Sequence, residues 1–250
     1  MQGRKHVRGK KKLAPGLPAA RGQGSQEGWI GAAYECLVDG GVDAVSVMPL
    51  AKRLRLSRTS FYWFYEDRDA LLAALIGRWR AKNTGNLIKQ SELYAESLCE
   101  AILNVFDCWL NAELFDSRLE FAVRSWAQQS AAVAHEIKTA DAARLEALQA
   151  MLIRHGCAPH PADVRARTIY LTQIGYISMK TKEDNVSRMN RIGEYVAIFA
   201  GRRPPQRDLD RFFARNHYRP PRAAAPKRPA GARQRQSNAR PLTSPRPSTA

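Results

Sequence analysis

Between about residues 25 and 200, apolar side chains recur every three to four positions, the period of a helix with one buried face. No stretch alternates apolar and polar residues in the two-residue period of a strand. The first helix spans about Ser25 to Asp39 and puts Ile30, Ala33, Tyr34, Leu37 and Val38 on one face. Gly40-Gly41 ends it, because glycine accepts the left-handed conformation that closes helices. Ser46 caps a short second helix over about residues 47–54, with Pro49 in the first turn, where no amide donor is needed. Ser57 caps a third over about 58–64. Asp67 caps a long fourth, whose buried face includes Leu71, Leu72, Leu75, Ile76 and Trp79.

The period continues past residue 90. Leu98, Ile102, Val105, Phe106 and Trp109 form one stripe; Leu119, Val123 and Trp126 form another. A stripe of Ile137, Leu145, Leu148, Met151 and Leu152 ends at His155-Gly156. Pro161 opens a helix carrying Val164, Ile169, Tyr170, Ile174 and Ile177, and the next carries Met189, Ile192, Tyr195, Val196 and Phe199 up to Gly201. A short polar helix is expected around Arg207–Arg215. The pattern predicts an all-α chain: a three-helix head with a helix-turn-helix over 25–80, then a helical body over 81–217.

Charge sets the two ends apart. The net charge is +17, and residues 1–24 hold seven Lys or Arg with no acid, as do residues 220–250. Only three net charges remain for everything between. The segments 1–24 and 218–250, the second rich in Arg and Pro, read as disordered basic arms that cannot bury a core. Such arms are either simply solvated or drawn to a polyanion.

Cys36, Cys99, Cys108 and Cys157 show neither CxxC spacing nor a His at metal-binding spacing, so no metal site is expected. They sit in apolar helical patterns, as small core residues do, which favours a reducing compartment. No apolar run approaches the length of a membrane span, and the basic N-terminus lacks a signal peptide's apolar stretch. The expectation is a cytoplasmic, nucleoid-associated protein without membrane partners. No nucleophile elbow, phosphate loop or clustered acid-base set is present, so no catalytic residue, cofactor or enzyme activity is expected.

The segment Ser46–Tyr65 carries the chemistry. Leu50, Ala51, Leu54, Leu56 and Phe61 face inward, with Ala51 small where two helices cross. Arg58, Thr59, Ser60 and Tyr62 begin a helix capped by Ser57. Arg can grip a guanine edge with two hydrogen bonds, and a Thr methyl can meet a thymine methyl. Ser46 and the amides opening at Val47 suit backbone phosphates, as do Tyr62, Trp63 and Arg68. The pattern is that of a helix-turn-helix placing its second helix in the major groove of double-stranded DNA. A bare helical corner with a solvated basic face would look much the same.

Residues 26–80 resemble the N-terminal domain of the TetR/AcrR family of transcriptional regulators. The resemblance rests on Gly41-Val42, Val45-Ser46-Val47, Leu50-Ala51, Leu54, Leu56-Ser57, Phe61-Tyr62, Tyr65, Arg68 and Leu71-Leu72. Two positions depart from the family: Arg55 stands where its turn usually has Gly, and Phe64 where it often has His. A non-Gly residue held left-handed at the turn costs on the order of 1 kcal/mol; either a right-handed turn variant avoids that cost, or Arg55 adds a phosphate contact.

The resemblance implies a ligand-responsive homodimer, commonly a repressor, on a near-palindromic operator. It implies a dimer seam on the last two large helices, about 162–183 and 187–200, for which Ile169, Ile174, Ile177, Ile192, Val196 and Phe199 are the candidates. It also implies an effector cavity in the body, with Phe106, Trp109, Phe121, Arg124, Trp126 and Tyr170 as candidates. The effector's chemistry and the operator are not readable. The competing reading is a nonspecific nucleic-acid or architectural protein acting through its basic arms.

Overall fold

A computed structural model describes residues 24–220, so the expected arms fall almost wholly outside the described residues. Within them there are eleven α-helices and no strand. Helix α1 (Gln26–Gly40) starts at Ser25, whose Oγ accepts the Gly28 amide at 3.0 Å. It closes at Gly41, whose φ of 77° is one that glycine holds without strain. A single 3-10 turn (Val42–Ala44) leads into α2 (Val47–Leu54). Then follow α3 (Arg58–Phe61) and α4 (Arg68–Trp79), the latter capped by Asp67 as expected.

Helix α4 does not stop at Trp79. It runs through a π-helical stretch, Arg80–Gly85, straight into α5 (Asn86–Glu92). The body continues with α6 (Leu98–Leu110), α7 (Ser117–Ala127), α8 (Ala131–Arg154), α9 (Pro159–Ser178), α10 (Asn185–Ala200) and α11 (Gln206–Arg215). Helix α9 opens two residues before Pro161, since Pro159 also sits where no amide donor is required. Helix α11 is less polar than its sequence suggests: Phe212 and Phe213 are buried against the body.

Two apolar cores result. The body core joins α5, α6, α8, α9, α10 and α11. The head core gathers Trp29, Leu50, Phe61, Leu71 and Trp79, and is completed by Leu119 and Val123 of α7 and Val133 and Ala140 of α8. The head is therefore seated on α7, which packs along α1. No helix among the described residues is long and apolar enough to cross a membrane.

Candidate nucleic-acid interface and the cavities of the body

The turn between α2 and α3 is made by Arg55 in the left-handed conformation (φ 56°, ψ 39°). Its amide donates to the Lys52 carbonyl at 3.2 Å, and the Leu56 amide to Ala51 at 2.9 Å. Ser57 then caps α3, its Oγ accepting the Ser60 amide at 3.3 Å. Beneath the turn, Phe61 is fully buried, edge-on to Trp29 at 5.3 Å and stacked on Tyr65 at 5.6 Å. That aromatic stack fixes the pitch of α3 relative to α1.

The outer face of this unit is basic and open. Arg58 and Thr59 are exposed; Tyr62 and Trp63 keep 47% and 65% of their surface in solvent. Arg58 Nη2 donates to the Tyr62 hydroxyl at 3.1 Å, and its guanidinium lies 5.8 Å from that ring's centre. The two side chains form one projecting unit rather than two independent contacts. Ser46 has the backbone shape of a cap, but its hydroxyl accepts no amide, so it remains available to a phosphate. Val47 is partly buried against the head core.

Two candidates have other tasks. Ser60 is only 3% exposed, and its hydroxyl donates inward to the Ser57 carbonyl at 2.7 Å. It braces the first turn of α3 and does not reach outward. Arg68 donates Nε to the Val45 carbonyl at 2.6 Å and Nη2 to the Val42 carbonyl at 2.7 Å. It ties α4 to the chain entering α2, so its charge is spent on the head's own backbone. Helix α3 also ends at Phe61 rather than near residue 64; beyond it the Phe64 amide turns back to Phe61. Exposed Met48, Lys52 and Arg53 on α2 enlarge the same face. Their signal in the sequence was their position opposite Leu50, Ala51 and Leu54.

The six effector-cavity candidates do not converge. Phe106 and Trp109 meet edge-on at 5.6 Å and line a void of about 20 Å³ in the body core. Phe121 lines a separate groove of about 550 Å³. Trp126 packs on the head core. Arg124 and Tyr170 belong to a buried polar network. In that network Arg144 and Glu120, both fully buried, pair at 2.7 Å. Trp79 Nε1 and Asn83 Nδ2 donate to Glu120 at 2.6 and 2.9 Å, and Arg144 Nε donates to Thr84 Oγ1 at 2.9 Å. Tyr170 accepts from Arg144 at 2.8 Å and donates to Asp141 at 2.6 Å, while Arg124 bridges Glu120 and Asp141.

This network grips the end of α4 through Trp79 and the π-helical stretch through Asn83 and Thr84, so it joins α4 to α7, α8 and α9. Burial alone would raise the Glu120 pKa, but the charge and hydrogen bonds of Arg144, then Arg124 and Asn83, hold it below its ordinary value. Burial, with the nearby Asp141 and Glu120 charges, pushes the Tyr170 hydroxyl up against the opposing pull of Arg144 and Arg124.

The residues expected at the dimer seam face the chain's own core. Ile169, Ile177, Ile192, Val196 and Phe199 are buried within the single chain, and Ile174 packs against the same core. The opposite face of α9 carries exposed Val164 and Leu171, and α10 carries exposed Ile198.

Residues 30–75 match the family model for bacterial regulatory proteins, tetR family. No curated protein matches the chain. Among solved structures the chain is similar to GusR of Salmonella enterica, at 14% identity and a TM-score of 0.50, over 76% of this chain and 93% of that one. It is also similar to AmtR of Mycobacterium smegmatis, at 17% identity and a TM-score of 0.46, over 82% of this chain and all of that one. At such identities the GusR likeness is one of all-helical fold. With the family match confined to the head, residues 30–75 are the N-terminal helix-turn-helix domain of the tetR family of bacterial regulatory proteins, carried on a helical body.

Proposed function

We propose that this chain is a sequence-reading transcriptional regulator in which residues 25–80 bind double-stranded DNA and residues 81–217 dimerise and take a small-molecule effector. The observation that carries the reading is the exposed Arg58–Thr59–Tyr62 surface at the start of α3, held in one orientation by the Trp29–Phe61–Tyr65 stack. Arg58 and Thr59 are the base readers, with Ser46, Ser57, Tyr62 and Trp63 framing them on phosphates. The protein acts in the cytoplasm, at the nucleoid, as a homodimeric repressor of a near-palindromic operator.

The dimer uses the outward face of α9, where Val164, Thr168, Leu171 and Gly175 follow one another at helical spacing, together with Ile198 of α10. A Cβ at Gly175 would meet nothing, so a second backbone has room to approach there. Selection of bound fragments from a random DNA pool tests the reading, with wild type beside Arg58→Ala/Tyr62→Ala at near-physiological salt. An enriched palindrome that the double variant loses supports it. Equal binding by both proteins with no enrichment would transfer the activity to the basic arms and sink it.

A further inference from the structure

The groove of about 550 Å³ lies where head and body meet, between the end of α1, the start of α7, the end of α9 and Arg188 of α10. Its size is that of a small-molecule site. Val38, Phe121 and Ile177 give it apolar walls. Two cations are laid on its aromatic rings: Lys180 Nζ is 4.1 Å from the centre of Phe121, and the Arg188 guanidinium is 5.9 Å from that of Tyr176. Among the described residues neither has a carboxylate partner. The other charges on the groove, Asp39 and Arg118, pair with each other at 3.0 Å.

Gln173 adds a polar group to the groove wall. It is only 6% exposed and stands between the groove and the small inner void. Across the void the buried Trp109 indole N–H is without a partner among the described residues. Buried polar groups are normally paired, because leaving one unpaired forfeits its hydration for nothing. Lys180 is further held at φ 49°, a conformation strained for any residue but glycine or asparagine. Two cations without carboxylate partners, the Gln173 amide and an aromatic wall define what would complete the site.

We propose that the groove binds a small organic anion with a flat apolar body. Its carboxylate or sulfonate is held by Lys180 and Arg188, its ring lies against Phe121 and Tyr176, and Gln173 donates to it. The chain's own basic ends are the wrong charge to be the occupant. That this anion is the effector rests on the regulator reading above; the binding site does not. Val38 and Asp39 are in the last turns of α1, the helix whose Trp29 packs on Phe61, so a filled groove bears on the helix that supports α3.

The test titrates the full-length protein with two fluorescent dyes that share one skeleton, the anionic anilinonaphthalene sulfonate and the neutral phenylnaphthylamine. The sulfonate is expected to bind one site about tenfold more tightly, the value of a charge-assisted contact. Lys180→Gly/Arg188→Met should remove that preference and leave the neutral dye unchanged. Lys180→Gly relieves the left-handed strain, so this half of the variant stays folded, and Lys180→Gly alone should give part of the loss. Equal affinity of the two dyes for wild type, or an unchanged sulfonate affinity in both variants, overturns the proposal. Selected operator DNA added to the dye-bound protein separates the two readings. A charge-selective site that leaves DNA affinity unchanged upholds the groove and defeats only the ligand-response reading. Intact operator binding without charge selectivity defeats only the groove.

Discussion

At the scale of single residues, three arginines within fourteen positions do three different things. Arg58 is exposed and joined only to Tyr62; on the proposed function it reads bases, and Arg58→Ala is expected to cost about 1–3 kcal/mol per half-site and to relax preference at one position. Competition between selected and scrambled duplexes checks this; an equal loss on both would remove its base-reading role. Arg68 instead holds the Val42 and Val45 carbonyls. Arg68→Ala should therefore lower stability by about 1.5–3 kcal/mol, as charged donors withdrawn from backbone carbonyls do. Thermal melting without DNA decides the matter, since a pure phosphate contact would leave it unchanged. Arg55 occupies a left-handed turn that glycine enters freely. Arg55→Gly should stabilise the head by about 1 kcal/mol, raising Tm by about 2–4 °C. The sequence flagged Arg55 as a departure and left two turn geometries open; only backbone dihedrals separate them. It could not distinguish Arg58 from Arg68, because both read as basic residues beside a helix start and only the structure shows which carbonyls lie within reach.

At the scale of elements, the π-helical stretch is the feature that periodicity missed. Its polar residues Asn83 and Thr84 are buried because Glu120 and Arg144 arrive from α7 and α8 to meet them. A trace existed in the sequence: Arg144 stands on the same face of α8 as Ala140, Leu148 and Met151, where a charge is out of place without a partner. The partner lies 24 residues away, and a single sequence offers no pairing rule over that distance. Helix starts were legible because Ser25, Ser57 and Asp67 act locally on amides three residues on. Glu120→Gln leaves Arg144 charged and buried, so a loss of about 3–5 kcal/mol is expected. The pH dependence has a definite sign. The Glu120 pKa is depressed from 4.5, so its stabilisation is complete above that pH and is lost as pH falls through the depressed value. Melting curves from neutral to acid pH should therefore converge for wild type and variant. Parallel curves would show that Glu120 does not titrate with folding.

At the scale of the whole molecule, α9 shows why apolar periodicity locates a helix without saying which of its faces meets a second chain. Ile169, Gln173 and Ile177 face the chain's own core, while Val164, Thr168 and Leu171 face out. Both stripes have helical spacing, and a sequence does not say which one waits for a second chain. The two assignments make opposite predictions. Leu171→Glu/Ile198→Glu alters side chains that are 61% and 69% exposed, so the fold should hold to within about 0.5 kcal/mol. The same change places like charges across a two-fold seam, where each copy meets its equivalent. Sedimentation should show a monomer, and a palindromic site should be bound no more tightly than an isolated half-site. Ile192→Ala removes buried volume from the body core and should cost about 2–5 kcal/mol, with the surviving folded protein still dimeric. If Leu171→Glu/Ile198→Glu stays dimeric while Ile192→Ala dissociates without loss of stability, the inner stripe is the seam after all. The outward face of α9 would then have no part in assembly.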